Sequence, residues 1–379
     1  MILVLNAGSS SLRCALFRPG GCEPTWRAHV ADIGHQPRVT VDGIASDDER
    51  LPAGDHATLA RWLFERLPSV PSAAGHRVVH GGLRHAAPVR LDAEVMVALE
   101  GLVPLAPVHQ PQALACIRAV CETWRHLPQV ACFDTAFHRT QDRLAQIYPL
   151  PRALIDEGLV RFGFHGLSYA HVARLIPRGR VLAAHLGHGA SLCAIRDGRS
   201  VATTMGFTTL DGLMMGTRSG AIDPGLVLHL IRERGLSPEA VANLLNERSG
   251  LLGVSGISDD VRVLEASEAP EAREALDLFT YRIVREAGAL IASLGGIDTL
   301  VFTGGIGEHA AQVRAAVCRR LAFTGVSLDE AANARAGEKL AVDGAAVEIR
   351  IVPADEEREI ARSASALLGE PTGSAEIRL

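Results

Sequence analysis

Lysine is almost absent from this sequence. Lys339 is the single lysine among 38 lysine and arginine residues in a chain of 379. Chemistry that needs a cation must therefore use arginine, histidine or a bound metal ion. Runs of basic residues are also absent and the net charge is -5, which argues against a dedicated nucleic-acid-binding protein.

Long apolar runs and cysteine pairs are missing as well. The longest apolar stretch, near residues 287–297, is too short and too rich in glycine for a membrane span, and the first ten residues lack the basic start of a signal peptide. The seven cysteines include no C-x-x-C pair, which is typical of free thiols in a reducing compartment. With 47% hydrophobic and 21% charged residues, we expect a globular cytoplasmic protein of about two domains.

A similar phrase occurs twice in the chain. LVLNAGSSSLRCALFRPG begins at Leu3, and AAHLGHGASLCAIRDG begins at Ala183. Each runs from an apolar strand through a Gly/Ser turn to Ser-Leu, Cys-Ala and an aliphatic residue. Because the spacing is too long for a solenoid, we interpret the phrases as two copies of one fold unit, with hairpins that face a shared cleft.

Strand patterns alternate with helical patterns, which is typical of an α/β fold. Helices are expected to begin near Asp223-Pro224 and after a Ser237 cap. We expect two domains. The first comprises residues 1–145 together with a C-terminal helix at 357–379, and the second comprises residues 146–356. The predicted strands are 2–6, 12–17, 76–80, 129–133, 180–186, 191–196 and 199–203, and further predicted helices are 92–102, 110–126 and 271–294.

Three glycine-rich turns follow predicted strands: NAGSSS at 6–11, GHGAS at 187–191 and TGGIGE at 303–308. Such turns expose backbone N–H groups, and small residues let phosphate oxygens approach them closely. None has the P-loop pattern or opens the first βα unit with G-x-G-x-x-G, so P-loop and dinucleotide folds are disfavoured. One glycine turn is usually structural, but three favour a nucleotide clamped by two domains.

Several polar side chains stand among small and apolar neighbours. Arg77 in GHRVVHGG and Arg218 in MGTRSGAIDPG are flanked by glycine, which suits a guanidinium aimed at a phosphate or carboxylate, although most arginines are solvated surface residues. Asp134 ends an apolar strand that leads into a loop, where α/β sites are built. His165 stands beside an aromatic residue, where a histidine is more often structural than catalytic.

Signals for metal ligands are sparse. The histidines near 76–85 and 185–188 lack cysteine or carboxylate partners at ligand spacing, which argues against zinc. Asp355 and Glu356 follow an apolar strand and begin a helix. They either interact with the helix dipole, which is the commoner role, or contact Mg²⁺, which takes one or two carboxylates with phosphate and water.

Together these phrases resemble the acetate and propionate kinase family of the actin, hexokinase and sugar-kinase superfamily. The resemblance implies a duplicated actin-like (ribonuclease H-like) α/β fold with two domains around a nucleotide cleft. It also implies a homodimeric enzyme that transfers the γ-phosphoryl group of ATP, with Mg²⁺, to a short carboxylate. The matching phrases, in family order from residue 3 to residue 362, are NAGSSSL, GHRVVHGG, LAPVH, FDTAFH, FGFHG, HLG-x-GAS, MGFT-x-L-x-GL-x-MGTR, GAIDPG, GVSGIS, FTGGIGE and P-x-x-EE.

The resemblance also implies roles for individual residues. Asp134 would be the acidic active-site residue, and His165 and Arg218 would stabilise the transferring phosphoryl group. Asn6 and Glu356 would hold the metal. The substrate would contact Arg77 through its carboxylate and Val79, Val108, Phe164 and Thr209 through its methyl group. The nucleotide would contact Arg13, His185, Leu186, Gly187, His188, Gly189, Asp260, Val261, Arg262, Gly305, Ile306, Gly307, Glu308 and His309.

Four positions depart from the family pattern. His188 and His309 replace asparagine, which leaves another phosphoryl donor, such as pyrophosphate, open. Thr209 replaces proline, so propionate or another short acid is an alternative to acetate. Arg13 replaces lysine, in keeping with the near absence of lysine from the chain. A non-metabolic actin-like ATPase is the remaining alternative, and it would turn over nucleotide without an added carboxylate.

Overall fold

The computed structural model describes residues 1–21, 23–42, 44–45 and 51–369. The chain divides into two compact units. Unit 1 comprises Met1–Phe137 and the residues from Asp355 onward, and unit 2 comprises His138–Ala354. The domain bounds expected from the sequence stay predictions, and residues 370–379 of the expected C-terminal helix lie outside the described residues.

Unit 1 is built on an eight-stranded sheet with the order β5-β4-β3-β2-β1-β6-β8-β7. Strands β1, β2 and β3 are antiparallel neighbours, whereas β1, β6 and β8 run parallel to one another. In chain order the strands are β1 (Ile2–Ala7), β2 (Leu12–Phe17), β3 (Pro24–Ala31), β4 (Arg38–Val41), β5 (Ile44–Ala45), β6 (Ala73–Val78), β7 (Val89–Arg90) and β8 (Gln129–Phe133).

Unit 2 contains a five-stranded sheet with the order β11-β10-β9-β12-β13. Its strands are β9 (Arg180–Leu186), β10 (Ala190–Arg196), β11 (Arg199–Thr203), β12 (Thr299–Thr303) and β13 (Glu348–Ile351). The first three are antiparallel neighbours, and β9, β12 and β13 are parallel. The run β3-β2-β1-β6-β8 of unit 1 has the same order and directions. The repeated sequence phrase is thus the first hairpin of a repeated α/β unit, which confirms the predicted duplication.

Helices surround both sheets, and short 3-10 helices lie at Val103–Leu105, Ala136–Thr140 and Ala322–Thr324. None of the described helices is long and apolar enough to cross a membrane. In chain order the α-helices are α1 (His56–Phe64), α2 (Ala93–Glu100), α3 (Gln110–Thr123), α4 (Arg143–Gln146), α5 (Arg152–Asp156), α6 (Gly166–Leu175), α7 (Pro224–Arg232), α8 (Pro238–Glu247), α9 (Gly250–Ser255), α10 (Val261–Glu265), α11 (Pro270–Leu294), α12 (Gly304–His309), α13 (Ala311–Arg320), α14 (Glu330–Ala334) and α15 (Glu356–Leu367).

Local sequence signals determine where several helices begin and end. The side chain of Asp223 accepts a hydrogen bond from the Gly225 amide at the start of α7, and Ser237 accepts one from the Ala240 amide at the start of α8. Proline follows both caps, as is common at the first helical position. Helix α11 ends at Gly295, whose φ of 72° is the left-handed conformation that glycine adopts without strain.

Helix α15 returns from the end of the chain to the central strands of unit 1. Leu3 and Leu5 of β1 face a core that α1 and α3 complete. Successive strand side chains point to opposite faces, so Asn6 faces the other way, toward α15. A Cβ added at Gly75 of β6 would lie 2.6 Å from Cγ2 of Ile360, so glycine is what allows α15 to pack this closely.

The described cysteines are free thiols, as predicted. Five of the six are buried, and Cys121 is exposed. Burial raises the pKa of Cys132 and Cys193 to about 12, so these thiols stay protonated and unreactive at neutral pH. They act as small core residues.

Candidate active site

Four predicted site residues of unit 1 meet at one edge of its sheet. Asn6 lies near the end of β1, Arg77 near the end of β6 and Asp134 directly after β8, while Glu356 begins α15. The three strands are parallel, so their carboxyl ends share an edge, which is where α/β proteins place their sites.

A buried salt bridge joins Arg77 and Asp134. Nη2 of Arg77 lies 2.6 Å from Oδ2 of Asp134, and Nε lies 3.2 and 3.1 Å from Oδ1 and Oδ2. The Asp134 side chain is 1% exposed and that of Arg77 13%. Nη1 of Arg77 donates to Oδ1 of Asn6 and to the carbonyl oxygen of Ala7, each at 3.4 Å. The guanidinium plane is therefore fixed from two sides.

The environment of this pair shifts both ionisation equilibria. Burial raises the pKa of Asp134 to about 6, even though Arg77 acts to lower it, and Glu356 adds to the rise. Burial by itself would lower the pKa of Arg77, but Asp134 and Glu356 raise it above its ordinary value. At neutral pH the pair is therefore ionised, with a full positive charge on Arg77.

Asn6 connects this pair to the first turn of α15. Its Nδ2 donates to Oε2 of Glu356 and to Oε1 of Glu357, both at 2.9 Å. Glu356 Oε2 also lies 3.8 Å from Nε of Arg77. Burial raises the pKa of Glu357, Arg13 opposes the rise from 3.8 Å away, and Glu356 adds to it. The sequence analysis missed Glu357, although the pair of glutamates after an apolar strand was the available signal.

The predicted apolar contacts of the substrate differ in exposure. Val79 follows β6 and is buried, whereas Val108, just before α3, is 45% exposed. Phe164 of unit 2 is buried, and Thr209 lies half-buried in the loop after β11. The backbone carbonyl of Thr209 accepts a hydrogen bond from Nη1 of Arg218 at 3.2 Å. Thr209 therefore contributes to the position of a predicted catalytic side chain.

In unit 2, His165 stands at the start of α6 in the left-handed conformation, with φ of 59°. Its Nδ1 lies 2.8 Å from Oγ of Ser191, which also contacts the hydroxyl of Tyr169 at 2.5 Å. The ring stacks on that of His185, with centroids 4.3 Å apart. His185 in turn contacts Oγ of Ser168 through Nδ1 at 2.9 Å. These contacts fix the orientation of the His165 imidazole.

The turn between β9 and β10 lies against two groups that can carry positive charge. A Cβ added at Gly189 would lie 3.2 Å from Nε2 of His165 and 3.7 Å from Nη1 of Arg218. The turn is closed by a hydrogen bond from the Gly187 amide to the Gly189 carbonyl at 3.0 Å. Backbone amides, an imidazole and a guanidinium in one place are the groups that bind phosphate. The structure thus brings together the predicted residues Gly187, Gly189, His165 and Arg218.

His188, at the tip of this turn, pairs with a residue that the sequence analysis did not identify. Its Nε2 lies 3.4 Å from Oδ2 of Asp259, and both side chains are partly exposed, at 61% and 42%. The next residues form a separate pair: Asp260 caps α10 and is contacted by Nη2 of Arg262 at 2.6 Å. Hydrogen bonds from Arg262 lower the pKa of Asp260.

The third glycine turn leads into α12, which contains the predicted residues Gly305 to His309. Arg314, 1% exposed, donates through Nη1 to the carbonyl oxygens of Gly307 and Glu308 at 3.0 and 2.8 Å. Its Nε donates to Oδ1 of Asn333 at 2.8 Å. Glu308 accepts a hydrogen bond from the Ala354 amide at 2.9 Å. Nothing in the sequence distinguishes Arg314 from the other arginines, so only the structure identifies it as the residue that holds α12.

Comparison with known proteins agrees with this geometry. The family model described as the Acetokinase family matches residues 1–362. A Rhodopseudomonas palustris protein named acetate kinase is 47% identical over 386 residues, which cover 96% of this chain and 97% of the relative. The acetate kinase of Methylocella silvestris is 46% identical over 394 residues, 97% of this chain and 98% of the relative.

Solved structures give the same result. A propionate kinase from Francisella tularensis superposes with a TM-score of 0.90 at 33% identity, covering 96% of this chain and 99% of that chain. The acetate kinase of Porphyromonas gingivalis superposes with a TM-score of 0.86 at 33% identity, covering 97% and 99%. These similarities confirm the expected duplicated actin-like α/β fold.

Proposed function

The chain belongs to the acetokinase family, and from that membership and its site geometry we propose that it catalyses the reversible transfer of the γ-phosphoryl group of ATP to acetate. The products are acetyl phosphate and ADP. The observation that carries the proposal is the fixed, charged Arg77 beside Asp134, Asn6 and Glu356. A cation held in this way suits the carboxylate of a short acid.

For this reaction the protein mainly has to align the two substrates and stabilise the charge on the transferring phosphoryl group. A carboxylate is already a nucleophile at pH 7, so no strong base is required. One of its oxygens attacks the γ-phosphorus, and the bond from that phosphorus to the bridging oxygen of ADP breaks. The protein has to align two anions and to offset the charge that spreads over the equatorial oxygens.

In unit 1 we assign the acid-binding role to Arg77 and the orienting role to Asp134. Asp134 engages Nε and Nη2, so the plane of the guanidinium does not rotate when the acid binds. Because the pair is buried, its charges are weakly screened, which strengthens the attraction of Arg77 for a carboxylate. The family motifs assign the methyl-group contacts to Val79 and Val108 in unit 1 and to Phe164 and Thr209 in unit 2, and these residues would select the length of the acid.

Asn6 and Glu356 would hold a magnesium ion. Within the described residues no cluster of three or more His, Cys, Asp or Glu side chains is arranged for a metal. Asn6 lies beside Glu356 and presents Nδ2 to it, while its Oδ1 accepts from Arg77. Once the amide turns, its oxygen and the Glu356 carboxylate are hard donors of the kind that Mg²⁺ accepts when phosphate and water complete its shell. The donor set therefore fits an ion that arrives with the nucleotide. When bound, the ion would neutralise charge on the phosphate oxygens.

In unit 2 we assign phosphate binding to the turn Gly187–Gly189 and stabilisation of the transferring group to His165 and Arg218. Ser191 holds Nδ1 of His165, so its orientation is set before any phosphate arrives. Arg218 is oriented by the Thr209 carbonyl. Donors that are fixed in advance stabilise developing charge without a cost of reorganisation.

The remaining nucleotide contacts are assigned by position in the family motifs. Asp260, Val261 and Arg262 begin α10, and Gly305 to His309 form α12. Arg13, His185, Leu186 and His188 complete the proposed set. Arg314 would act indirectly, because it holds the carbonyl groups of α12 in place.

We also propose a homodimer located in the cytoplasm. Helix α7 buries none of its residues, and its Leu226 and Leu228 are each 47% exposed. Exposed apolar side chains on one helix are typical of an interface. Analytical ultracentrifugation tests this part of the proposal, and a monomer at micromolar concentration would contradict it.

Trapping of acyl phosphate with hydroxylamine tests the reaction. We expect hydroxamate from ATP, Mg²⁺ and acetate, with formate, propionate and butyrate assayed in parallel. One methylene is worth about 1 to 3 kcal/mol in a pocket, so a maximum at propionate would identify the enzyme as a propionate kinase. Hydroxamate formed with pyrophosphate but not with ATP would show that pyrophosphate is the phosphoryl donor. Nucleotide turnover that needs no carboxylate would overturn the proposal.

A further inference from the structure

His188 and Asp259 form a pair beside the proposed phosphate-binding turn of unit 2. Their side chains approach to 3.4 Å between Nε2 and Oδ2. Gly216 lies against both residues, since a Cβ added there would be 3.3 Å from Cβ of Asp259 and 3.4 Å from Cδ2 of His188. The pair therefore joins the β9–β10 turn to the segment that leads into α10.

Because Asp259 lies close to the proposed phosphate-binding turn, its negative charge affects the binding of an anion there. The neighbouring Gly189 adjoins His165 and Arg218, so the turn is suited to an anion. A carboxylate close to such a turn repels a polyphosphate unless a cation neutralises it. Of the described basic side chains, His188 is the one that lies within 4.0 Å of the Asp259 carboxylate.

Other charged groups around His188 already have contacts of their own. Arg262 is engaged by Asp260 on α10, and Arg218 on the 212–220 loop donates to the Thr209 carbonyl. On the strand before the turn, His185 contacts Ser168. Neutralisation of Asp259 therefore depends on the imidazole of His188.

We propose that His188 is a specificity-determining residue whose protonated ring neutralises Asp259 and so sets the affinity for MgATP. The inference rests on the proposed function. An imidazolium that loses its proton no longer neutralises a carboxylate, so the net charge of the pair depends on pH. Affinity for MgATP then falls as the pH rises. A neutral side chain at position 188 removes this response.

A double-mutant cycle measured by calorimetry tests the proposal without any need for turnover. Binding of MgATP is measured at pH 6 and pH 8 for the wild type, His188→Asn, Asp259→Asn and the double variant. We expect the wild-type Kd to rise about three- to fivefold over this range relative to Asp259→Asn, as suits two partly exposed charges. Asp259→Asn serves as the reference because it shares every other titration, including that of ATP itself.

The single and double variants distinguish the loss of the counter-charge of Asp259 from a structural effect of replacing His188. His188→Asn is expected to bind weakly at both pH values, and the double variant to bind as Asp259→Asn does, because the unneutralised carboxylate is gone. His126→Asn, on the exposed surface of unit 1, is the matched control and should keep the wild-type response. The proposal is overturned if Asp259→Asn keeps the wild-type pH response, or if the double variant binds no better than His188→Asn. Absence of acyl phosphate in the trapping assay would instead count against the proposed reaction, which this binding test does not use.

Discussion

Asp134 holds Arg77 through two nitrogens, with the shortest contact 2.6 Å between Oδ2 and Nη2, in a place where both side chains are almost fully buried. The partners come from different strands of the unit 1 sheet, which pair in parallel through Arg77 and Cys132. Two charges buried together are stable only as a pair, because each alone would remain without compensation. Unit 1 therefore depends on both residues for folding as well as for the acid site.

Asp134→Asn is expected to lower the free energy of unfolding by about 3 kcal/mol, because it removes the closest counter-charge of the buried Arg77 and leaves the weaker contact with Glu356 at 3.8 Å. The double variant Arg77→Met/Asp134→Asn should regain part of that loss, since it removes the poorly compensated charge. Urea denaturation measures both values. A single variant as stable as the wild type would show that the pair is hydrated rather than buried.

Arg218→Ala is expected to reduce kcat by a factor of about 100 to 1,000. This is the usual loss when an enzyme loses a fixed hydrogen-bond donor to the charge that develops in the transition state. Its thermal midpoint should move little, because Arg218 is half-buried and donates to the backbone carbonyl of Thr209. Steady-state hydroxamate assays and a thermal melt provide the two values. Turnover close to that of the wild type would refute the assignment.

Gly189→Ala is expected to lower kcat about tenfold, because its Cβ would press on Nε2 of His165 at 3.2 Å and displace the imidazole or the turn. The matched control is Gly288→Ala on α11, where an added Cβ meets nothing within 4 Å. The control should keep full activity and gain about 0.5 to 1 kcal/mol in stability from helix propensity. Equal activity of the two variants would argue against a close approach of His165 to the turn.

His138 provides a prediction about pH. Its Nε2 contacts the Phe164 carbonyl at 2.9 Å and Nδ1 the Ser200 hydroxyl at 2.9 Å, and burial lowers its pKa to about 4. An unfolded histidine has a pKa near 6.5, so the neutral ring stabilises the fold fully above pH 6.5, and the contribution is lost as the pH falls toward 4. The loss reaches about 3 kcal/mol at most.

Comparison with His138→Gln isolates that contribution from those of the carboxylates, because the variant keeps both the raised pKa of Asp134 and the lowered pKa of Asp260. Between pH 6.5 and 4.5 the unfolding free energy of the wild type should fall more steeply than that of the variant. Parallel curves would mean that the His138 ring takes up its proton at the same pH in the folded and unfolded states.

The regular elements follow closely from the sequence where burial is continuous. Strands β2, β8 and β9 match their predicted bounds, because apolar runs end at turn residues. Strand β6 begins earlier, at Ala73, and ends at Val78, where its ladder with β8 stops. Small residues such as Ala74 and Gly75 carry little strand propensity, so only pairing with β1 and β8 identifies them.

Site residues whose partners lie far away in the sequence could not all be predicted from it. The apolar pattern placed Asp134 correctly at the end of its strand, whereas Arg77 was expected near the start of a strand at 76–80 and lies near the end of β6. The Asp259 partner of His188 lies 71 positions along the chain, and Arg314 looks like any other arginine until its buried contacts with α12 are known. Such pairings depend on how loops approach one another, which local sequence patterns do not encode.

The place of α15 has a consequence for how the protein is made. The helix that covers the central strands of unit 1, and supplies Glu356 and Glu357 to Asn6, begins 350 residues after Asn6. A nascent chain that has already exposed the N-terminal sheet on the ribosome still lacks this cover. Strands β1 and β6 remain uncovered, and Asn6 cannot bind its partners, until the entire intervening sequence has been synthesised. The part of the site that lies in unit 1 is thus completed only after the whole of unit 2 has been synthesised, so a product that stops before α15 would carry Asn6, Arg77 and Asp134 without Glu356.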